Sequence, residues 1–267
     1  MLKIVIIGAG GRMGLALVRC GLRTPNVQVV GAVEAQGSPF FGQDIGAMVG
    51  EPATGVTLTS NLAAVAGLAD VLIDFSSHTA VPGTVGVAVA LKKATVIGTT
   101  GLNERERAVL QKAARLIPVL CSPNMSVGVN LLFALVKKAA ATLGVAYDAE
   151  IVEVHHRFKK DAPSGTALRL GERIAEGRGQ NFKAVAVFGR EGETGERSQG
   201  QIGIHAVRAG DTVGDHSVIF ATEGERVELA HKATSREALA VGALRAAAWV
   251  VAREPGLYDM QDVLGLC

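Results

Sequence analysis

The densest group of side chains suited to chemistry lies at residues 153–166, where the chain reads EVHHRFKKDAPSGT. Histidine is the side chain best suited to transfer a proton near neutral pH, so His155 and His156 are candidates for acid–base catalysis. A neighbouring lysine, Lys159, can polarise an imine or carbonyl or hold a carboxylate. The Ser-Gly-Thr segment at 164–166 signals the start of a helix, whose hydroxyl and N–H groups suit a carboxylate. Cations beside a helix start predict a site for a dianionic substrate.

Two other interpretations of this stretch stay open on spacing alone. One is a solvated basic loop in which a histidine caps a strand. The other is a metal site formed by Glu153, His155 and His156. Adjacent histidines on a strand point to opposite faces and make poor co-ligands, so we expect no metal. A strand that enters a loop at Lys159 would place His155 and Lys159 on the reactive side of that loop.

A glycine-rich segment, GAGGRMG at residues 8–14, follows the first apolar run directly and opens a helical pattern. Glycines let the backbone turn sharply and approach a pyrophosphate, whose charge then lies on free helix N–H groups. Met13 occupies the third glycine position of the strict G-x-G-x-x-G motif, and Gly8, Gly11 and Gly14 supply a variant spacing. Glu34 ends the next strand-like run, where a carboxylate commonly binds the ribose hydroxyls. These features predict a dinucleotide site.

Two later clusters, GTTG at 98–101 and SPNM at 122–125, follow further apolar runs. Ligands of open parallel sheets bind beyond the carboxyl ends of the strands, so both clusters suit the nicotinamide end, although ordinary turns would look the same. The residues expected to contact the cofactor are Gly8, Ala9, Gly10, Gly11, Arg12, Met13, Glu34, Gly98, Thr99, Thr100, Ser122, Pro123, Asn124 and Met125. An arginine after Glu34 would pair with the 2′-phosphate of NADP, and Ala35 cannot. We therefore expect NADH or NADPH, with NADH favoured, although Arg12 could still reach that phosphate.

The elements that must position these residues follow from the hydrophobic pattern. Buried, β-branched runs at 4–7, 27–33, 71–75, 95–97 and 118–121 alternate with helical patterns at 13–23, 79–92 and 104–115. This alternation predicts an α/β fold with a parallel sheet and right-handed crossovers. The stretch 35–57 is rich in Gly, Pro and Ser and is interpreted as a loop.

The pattern changes after residue 121. An apolar helix at 127–142 precedes strand-like runs at 150–158, 183–188, 201–208, 217–222 and 226–230, which a helix at 166–176 interrupts. This half is predicted to be an α+β domain with a mostly antiparallel or mixed open sheet. A final helix at 235–251 starts with Ser235 as its expected cap.

Composition narrows the class of protein. A formal charge of +2 and an aromatic content of 4% argue against a nucleic-acid partner. Cys20, Cys121 and Cys267 are too widely spaced for a disulfide framework or a zinc site, which favours a cytoplasmic protein. No segment reads as a signal peptide or an uninterrupted membrane span, so no membrane partner is expected.

Several stretches resemble the 4-hydroxy-tetrahydrodipicolinate (dihydrodipicolinate) reductase family. They are 8–14, 98–101, 122–130 and above all 155–167, with further matches at 190–197, 207–214 and 231–236 along essentially the whole chain. The H-H-x-x-K-x-D-A-P-S-G-T segment is highly specific, and the glycine loop alone is not. The resemblance implies reduction of a cyclic dicarboxylate, 4-hydroxy-tetrahydrodipicolinate, to tetrahydrodipicolinate by NADH or NADPH with loss of water. That reaction belongs to the route to diaminopimelate and lysine.

The same resemblance assigns residues and domains. It implies that His155 donates or accepts a proton, that Lys159 donates one, and that the substrate carboxylates are held by His156, Lys159, Gly165 and Thr166. It implies a Rossmann-like dinucleotide domain of residues 1–126 with 236–267 and an inserted substrate-binding and tetramerisation domain of 127–235, hence a homotetramer. Many relatives have Arg where this chain has Ala35, which leaves the cofactor preference open.

Three other functions remain to be weighed. The first is another two-domain NAD(P)-dependent amino-acid or semialdehyde dehydrogenase, which would have no reason to keep residues 155–166 as they stand. The second is a synthase that uses Lys159 as a Schiff-base nucleophile, which has no use for the glycine loop. The third is a non-catalytic dinucleotide sensor, which would bind the cofactor without turnover.

Overall fold

The computed structural model describes residues 1–266 and divides the chain into two compact units. The first unit consists of residues 1–127 and 236–265, and the second of residues 128–235. In chain order the elements are β1 (Leu2–Ile7), α1 (Arg12–Arg23), β2 (Val27–Val33), α2 (Ile45–Val49), β3 (Leu58–Thr59), α3 (Leu62–Ala66), β4 (Val71–Asp74), α4 (Val81–Ala90), β5 (Ala94–Ile97), α5 (Glu104–Ala113), β6 (Pro118–Cys121), α6 (Val127–Leu143), β7 (Asp148–His155), α7 (Gly165–Arg178), α8 (Phe182–Val185), β8 (Ala186–Phe188), β9 (Ile202–Arg208), β10 (Gly214–Thr222), β11 (Glu225–Ala233), α9 (Glu237–Val250), β12 (Gly256–Tyr258) and α10 (Met260–Leu264).

The first unit is built on a seven-stranded sheet of order β12-β6-β5-β4-β1-β2-β3, in which every neighbouring pair is parallel. Ile4 and Ile6 of β1 point into one hydrophobic core, and Val5 and Ile7 point into a second core on the other face. Helices cover both faces, which is why these strands are continuous apolar runs rather than alternating ones. The predicted parallel sheet is confirmed.

The second unit carries a five-stranded mixed sheet of order β11-β10-β7-β9-β8. β10 runs antiparallel to β7 and β11, whereas β7, β9 and β8 run parallel. One face is buried: Ile151, Ile204 and Val218 share a core with residues of α6 and α7. The predicted mixed sheet is confirmed.

Short elements explain most departures from the predicted pattern. The stretch 35–57, expected to be a loop, contains α2, which is fixed by a side-chain cap rather than by periodicity: Asp44 Oδ1 accepts a hydrogen bond from Gly46 N at 2.8 Å. The expected strand at 183–188 begins as α8, because Asn181 caps a helical turn through Lys183 N. A five-residue helix is too short to show a 3.6-residue repeat.

One expectation about the final long helix is wrong. The N-cap of α9 is Arg236 rather than Ser235, and no side-chain hydrogen bond caps this helix. Arg236 already has helical dihedral angles, whereas a capping side chain works from an extended N-cap residue. The strand β12 and the helix α10 that follows it were not predicted.

One helical segment, Val127–Ala146, is long and apolar enough to cross a membrane by length and composition, contrary to the expectation that no segment would be. Core helices of soluble proteins pass the same test. In this chain Val129, Phe133 and Val136 of the segment pack in the core of the second unit.

Within residues 1–266, Cys20 and Cys121 carry free thiols, and no group of three or more His, Cys, Asp or Glu side chains is placed to hold a metal ion. Cys267, the third cysteine of the sequence, lies outside the described residues.

Candidate active site

The glycine loop packs directly against the end of β4. Gly8 has a φ of +79°, and a Cβ there would lie 2.5 Å from the Phe75 carbonyl oxygen. A Cβ on Gly14 would overlap the Gly8 carbonyl oxygen. Gly11 is the N-cap of α1 and has no side chain to satisfy the first N–H groups of that helix. The loop and the open helix start therefore fit the pyrophosphate of a dinucleotide.

Glu34 lies across this loop at the end of β2. Its Oε2 accepts a hydrogen bond from Gly10 N at 3.0 Å, and its Oε1 accepts one from Ala35 N at 2.9 Å. Of the other predicted residues here, Ala9 is buried, Met13 is half-buried and Arg12 is exposed. The carboxylate is thus held beside the loop, where a ribose would follow the pyrophosphate.

A cleft of about 650 Å³ opens at this edge of the sheet. Its walls include residues that the sequence analysis did not single out: Ser60, Leu62, Phe75, Ser76, Ser77, Thr79, Ala80 and Thr84. Most of them follow β4, and the rule that ligands bind beyond strand carboxyl ends, applied to β4 as it was to β5, would have found them. The cleft lies beside the glycine loop and Glu34, beyond the carboxyl ends of β1, β2 and β4, which is where ligands of open parallel sheets bind.

The two later clusters end neighbouring strands, β5 and β6, as predicted. A buried carboxylate, Asp74, holds the first of them: its Oδ1 accepts hydrogen bonds from Thr99 Oγ1 at 2.9 Å and from Ser76 Oγ at 2.7 Å. A Cβ on Gly98 would overlap the ring of Phe75, so this turn also needs a glycine. Thr100 is exposed.

The second cluster, Ser122 to Met125, follows β6 and presents mainly backbone groups. Ser122 Oγ donates to the Asn124 carbonyl oxygen at 2.9 Å, Pro123 is exposed and Asn124 is half-buried. Met125 is only 1% exposed and its side chain packs in the core of the first unit. Only its backbone is therefore available for a ligand, because its thioether is used in packing.

The strand that carries the histidines, β7, ends at His155, three residues earlier than the predicted end at 158. Lys159 N donates to the His156 carbonyl oxygen at 3.1 Å, which turns the chain out of the sheet. His155 is 9% exposed, whereas His156 and Lys159 are half-buried and lie on the loop after it. The strand thus places His155 rigidly and leaves the other two side chains on a loop.

Glu153, two residues before His155 on the same face of β7, is fully buried and holds the histidine ring. Its Oε2 lies 2.5 Å from His155 Nδ1. Arg208 binds both oxygens of this carboxylate, at 2.8 and 2.9 Å, and Ser164 N donates to Oε1 at 3.0 Å. Burial raises the pKa of Glu153, but the hydrogen bonds from Arg208, His155 and Ser164 outweigh it, so the pKa is lowered overall. The carboxylate is ionised and can only accept, so Nδ1 of His155 carries a proton.

A second histidine from β10 faces the first. The rings of His155 and His216 meet edge to face with centroids 5.2 Å apart, and His216 Nε2 lies 3.0 Å from Ser164 Oγ. Burial first, and the positive charge of His155 second, lower the pKa of His216 to about 3. His216 is therefore neutral at physiological pH.

The helix start at Ser164 forms as the sequence predicted. Ser164 caps α7 by accepting a hydrogen bond from Ala167 N at 3.1 Å, and Gly165 and Thr166 begin the first turn, which contains no acidic residue. Lys159 Nζ lies 2.8 Å from both oxygens of Asp161, and this contact is the main cause of the lowered pKa of Asp161. A cation and a helix N-terminus are thus provided by one loop.

Sequence reasoning named Glu153 only as a metal ligand and missed Arg208 and His216. Both oxygens of Glu153 are occupied by Arg208, which makes it a poor metal ligand. Arg208 is 55 residues from Glu153 in sequence, and its only signal was its place in the stretch 207–214 that resembles the reductase family.

Family models and known proteins agree on what this chain is similar to. The model for the N-terminus of dihydrodipicolinate reductase matches residues 2–125, and the model for its C-terminus matches residues 128–264. The 4-hydroxy-tetrahydrodipicolinate reductase of Anaeromyxobacter dehalogenans is 52% identical over 266 residues, covering 100% of this chain and 98% of that protein. The enzyme of the same name from Hahella chejuensis is 50% identical and is covered completely.

A solved structure shares the fold. The dipicolinate-bound dihydrodipicolinate reductase from Paenisporosarcina sp. TG-14 superposes with a TM-score of 0.76 at 23% identity, covering 98% of both chains. Two family models, and full-length relatives with 52% and 50% sequence identity, support one conclusion. The chain belongs to the 4-hydroxy-tetrahydrodipicolinate reductase family, NAD(P)H-dependent oxidoreductases of diaminopimelate and lysine biosynthesis.

Proposed function

We propose that His155 transfers the proton in the reaction that this family catalyses. The substrate 4-hydroxy-tetrahydrodipicolinate takes up one hydride and one proton and leaves as tetrahydrodipicolinate and water. NAD(P)H supplies the hydride when it is bound. The proton must come from the protein or from solvent, and His155 is the buried acid–base group whose ring is fixed by a charged hydrogen bond. That contact with Glu153 is the observation that carries the proposal.

The two carboxylates of the substrate need cations or N–H donors. We assign this binding to His156, Lys159, Gly165 and Thr166, because α7 presents a helix N-terminus without acidic residues and Lys159 stands on the loop before it. Lys159 would exchange its partner Asp161 for a substrate carboxylate or donate a proton to the substrate. The dipicolinate bound to the Paenisporosarcina relative has the same paired carboxylates and supports a small dicarboxylate as the ligand.

For the cofactor we assign the glycine loop and Glu34 to the pyrophosphate and ribose, with Gly98, Thr99, Thr100 and 122–125 at the nicotinamide end. NADH is the preferred donor in this proposal. Glu34 presents a negative charge and Ala35 presents no cation to a 2′-phosphate, so NADPH would lose binding energy there.

The remaining assignments extend the family resemblance to the whole chain. Residues 1–126 with 236–267 bind the dinucleotide, and residues 127–235 bind the substrate and form a homotetramer in the cytoplasm. Sedimentation of the purified chain is the direct test of the oligomer, and a monomer at working concentration would contradict it.

The test of the reaction is oxidation of NADH and NADPH at 340 nm, with substrate generated in situ by dihydrodipicolinate synthase. We expect a higher kcat/KM with NADH, and His155→Gln or Lys159→Ala should lower kcat by about 10²-fold or more. NADH binding, measured by fluorescence, should persist in both variants. His78→Gln, at a half-exposed histidine of the first unit, is the matched control. Near-normal turnover by His155→Gln would remove His155 from its proposed role.

A further inference from the structure

We propose that Glu153 and Arg208 are positioning residues that keep one proton on Nδ1 of His155 and so reserve Nε2 for exchange with the substrate. The inference rests on the proposed role of His155 and adds which residues fix the protonated nitrogen of its ring. The Glu153 carboxylate contacts Nδ1 of His155. The guanidinium of Arg208 forms a bidentate hydrogen bond with the same carboxylate. Neither residue belongs to the group assigned to substrate or cofactor.

The carboxylate of Glu153 is held in one position by its strand and by Arg208. Glu153 is fully buried in β7, and Arg208 is the last residue of β9, the parallel neighbour of β7. A bidentate arginine–carboxylate pair fixes the plane of the carboxylate as well as its place. Arg208 also donates to the Asp161 carbonyl oxygen at 2.7 Å, so the guanidinium ties the loop after His155 to the same point.

The tautomer follows from the donors that surround the carboxylate. Oε2 of Glu153 accepts hydrogen bonds from Arg208 and from His155 Nδ1. Oε1 accepts hydrogen bonds from Arg208 and from Ser164 N. An ionised carboxylate offers only lone pairs, so Nδ1 must be N–H whether the ring is neutral or cationic. The proton that comes and goes is then the one on Nε2. A Cβ on Gly214 would lie 2.9 Å from Nε2, so the glycine leaves room beside the exchanging atom.

Electrostatics point the same way. Glu153 on its own strand and His216 on β10 contact the ring of His155. Arg208 on β9 binds Glu153 and the Asp161 carbonyl oxygen, and Lys159 on the following loop binds the Asp161 carboxylate. Glu153 is the only anion among them in contact with the ring. Two cations are nearby, and His216 stays neutral, so the imidazolium form of His155 depends on Glu153. Its loss should make the protonated ring unfavourable.

Glu153→Gln is the sharpest test, because it keeps the shape and removes the charge. The glutamine oxygen can still accept from Ser164 N, but its NH₂ group would face Nδ1 or Arg208 as a donor. A donor at Nδ1 turns the neutral ring to the other tautomer, the kind of change that costs about 10⁴-fold in kcat in a serine protease triad. We expect kcat to fall by about 10²-fold or more, and the alkaline limb of the pH–kcat profile to move to lower pH. NADH binding should not change.

Glu150→Gln is the matched control on the same strand. Glu150 is also bound by arginines, Arg190 and Arg197, and by His205, but it does not touch His155. If the loss of an arginine–carboxylate ion pair acted only through stability, both variants would lower activity without moving the pH profile. We expect the profile to move in Glu153→Gln alone.

A second variant covers the case in which Glu153→Gln does not fold. Arg208→Lys keeps the positive charge but loses the bidentate hydrogen bond to Glu153. This variant should also move the pH–kcat profile to lower pH. If the pH–kcat profile of Glu153→Gln does not move, the inference is overturned. If Glu153→Gln does not fold, the profile of Arg208→Lys is used in the same way. If His155→Gln is inactive while these profiles stay unmoved, the proposed role of His155 survives and the positioning role is lost. Full turnover by His155→Gln would instead remove the role of His155 itself.

Discussion

At the scale of single residues, the ring of His155 is confined on two sides. Glu153 holds Nδ1, and the backbone of β10 passes close to Nε2 at Gly214. Gly214 does not have a positive φ, so its importance is spatial rather than conformational. Any side chain here would press on the atom that we assign to proton exchange.

Gly214→Ala should therefore lower kcat while leaving the fold and NADH binding intact. The new Cβ would lie 2.9 Å from Nε2, so the ring must move while Glu153 holds its other nitrogen. A displacement of about 1 Å in a reacting group can cost about 10²-fold in rate, and we expect a loss of about 10-fold or more. Steady-state kinetics measure it, with Thr222→Ala at the exposed far end of β10 as the control. Equal kcat in the two variants would contradict this.

At the scale of elements, the sequence predicted what periodicity controls. The parallel sheet was predictable because both of its faces are buried, which leaves continuous apolar runs such as β4 and β5. The element α2 was not, because a cap from Asp44 defines it, and neither was α8. Local side-chain caps carry no repeat in the sequence.

The same distinction applies to the candidate site. Residue type and neighbourhood identified His155, Lys159 and the helix start at Ser164. Arg208 and His216 reach the site through strand pairing, since β9 and β10 flank β7, and no local pattern indicates which strands pair. Met125 follows β6 as predicted, but the sequence did not indicate that its side chain packs in the core, so its predicted contact with the cofactor concerns its backbone alone.

The contact between the glycine loop and α1 yields a prediction at this scale. A Cβ on Gly14 would overlap the Gly8 carbonyl oxygen and approach the Ala9 backbone, so Gly14→Ala must push the helix start away from the loop. Because the pyrophosphate site needs both in place, we expect the dissociation constant of NADH to rise by about 10-fold or more. Fluorescence titration measures it. Gly86→Ala, in α4 where a Cβ meets nothing within 4 Å, should bind NADH normally.

At the scale of the whole molecule, one half-buried group, Glu150, and one buried group, His216, make stability depend on pH in different windows. The pKa of Glu150 is lowered to about 2: burial opposes this, but hydrogen bonds from Arg190, His205 and Arg197 outweigh it. Its contribution is complete above its ordinary pKa of about 4.5 and is lost as pH falls from there towards 2. The pKa of His216 is lowered to about 3, mainly by burial, from an ordinary value of 6.5. Between neutral pH and about pH 5, His216 titrates in the unfolded chain and Glu150 does not.

Mild acid should therefore destabilise the chain through His216. Below about pH 6.5 the unfolded chain binds a proton at this histidine and the folded chain does not, so the free energy of unfolding falls with pH, by about 2 kcal/mol at about pH 5. His231, whose pKa burial also lowers, acts with the same sign. Urea unfolding at about pH 8 and about pH 5 measures the fall, and His216→Gln should reduce it even though that variant starts less stable. If His216→Gln lost as much stability between the two pH values as the unmodified chain, the buried neutral histidine would not be the cause, since no proton would then distinguish the two states at that residue.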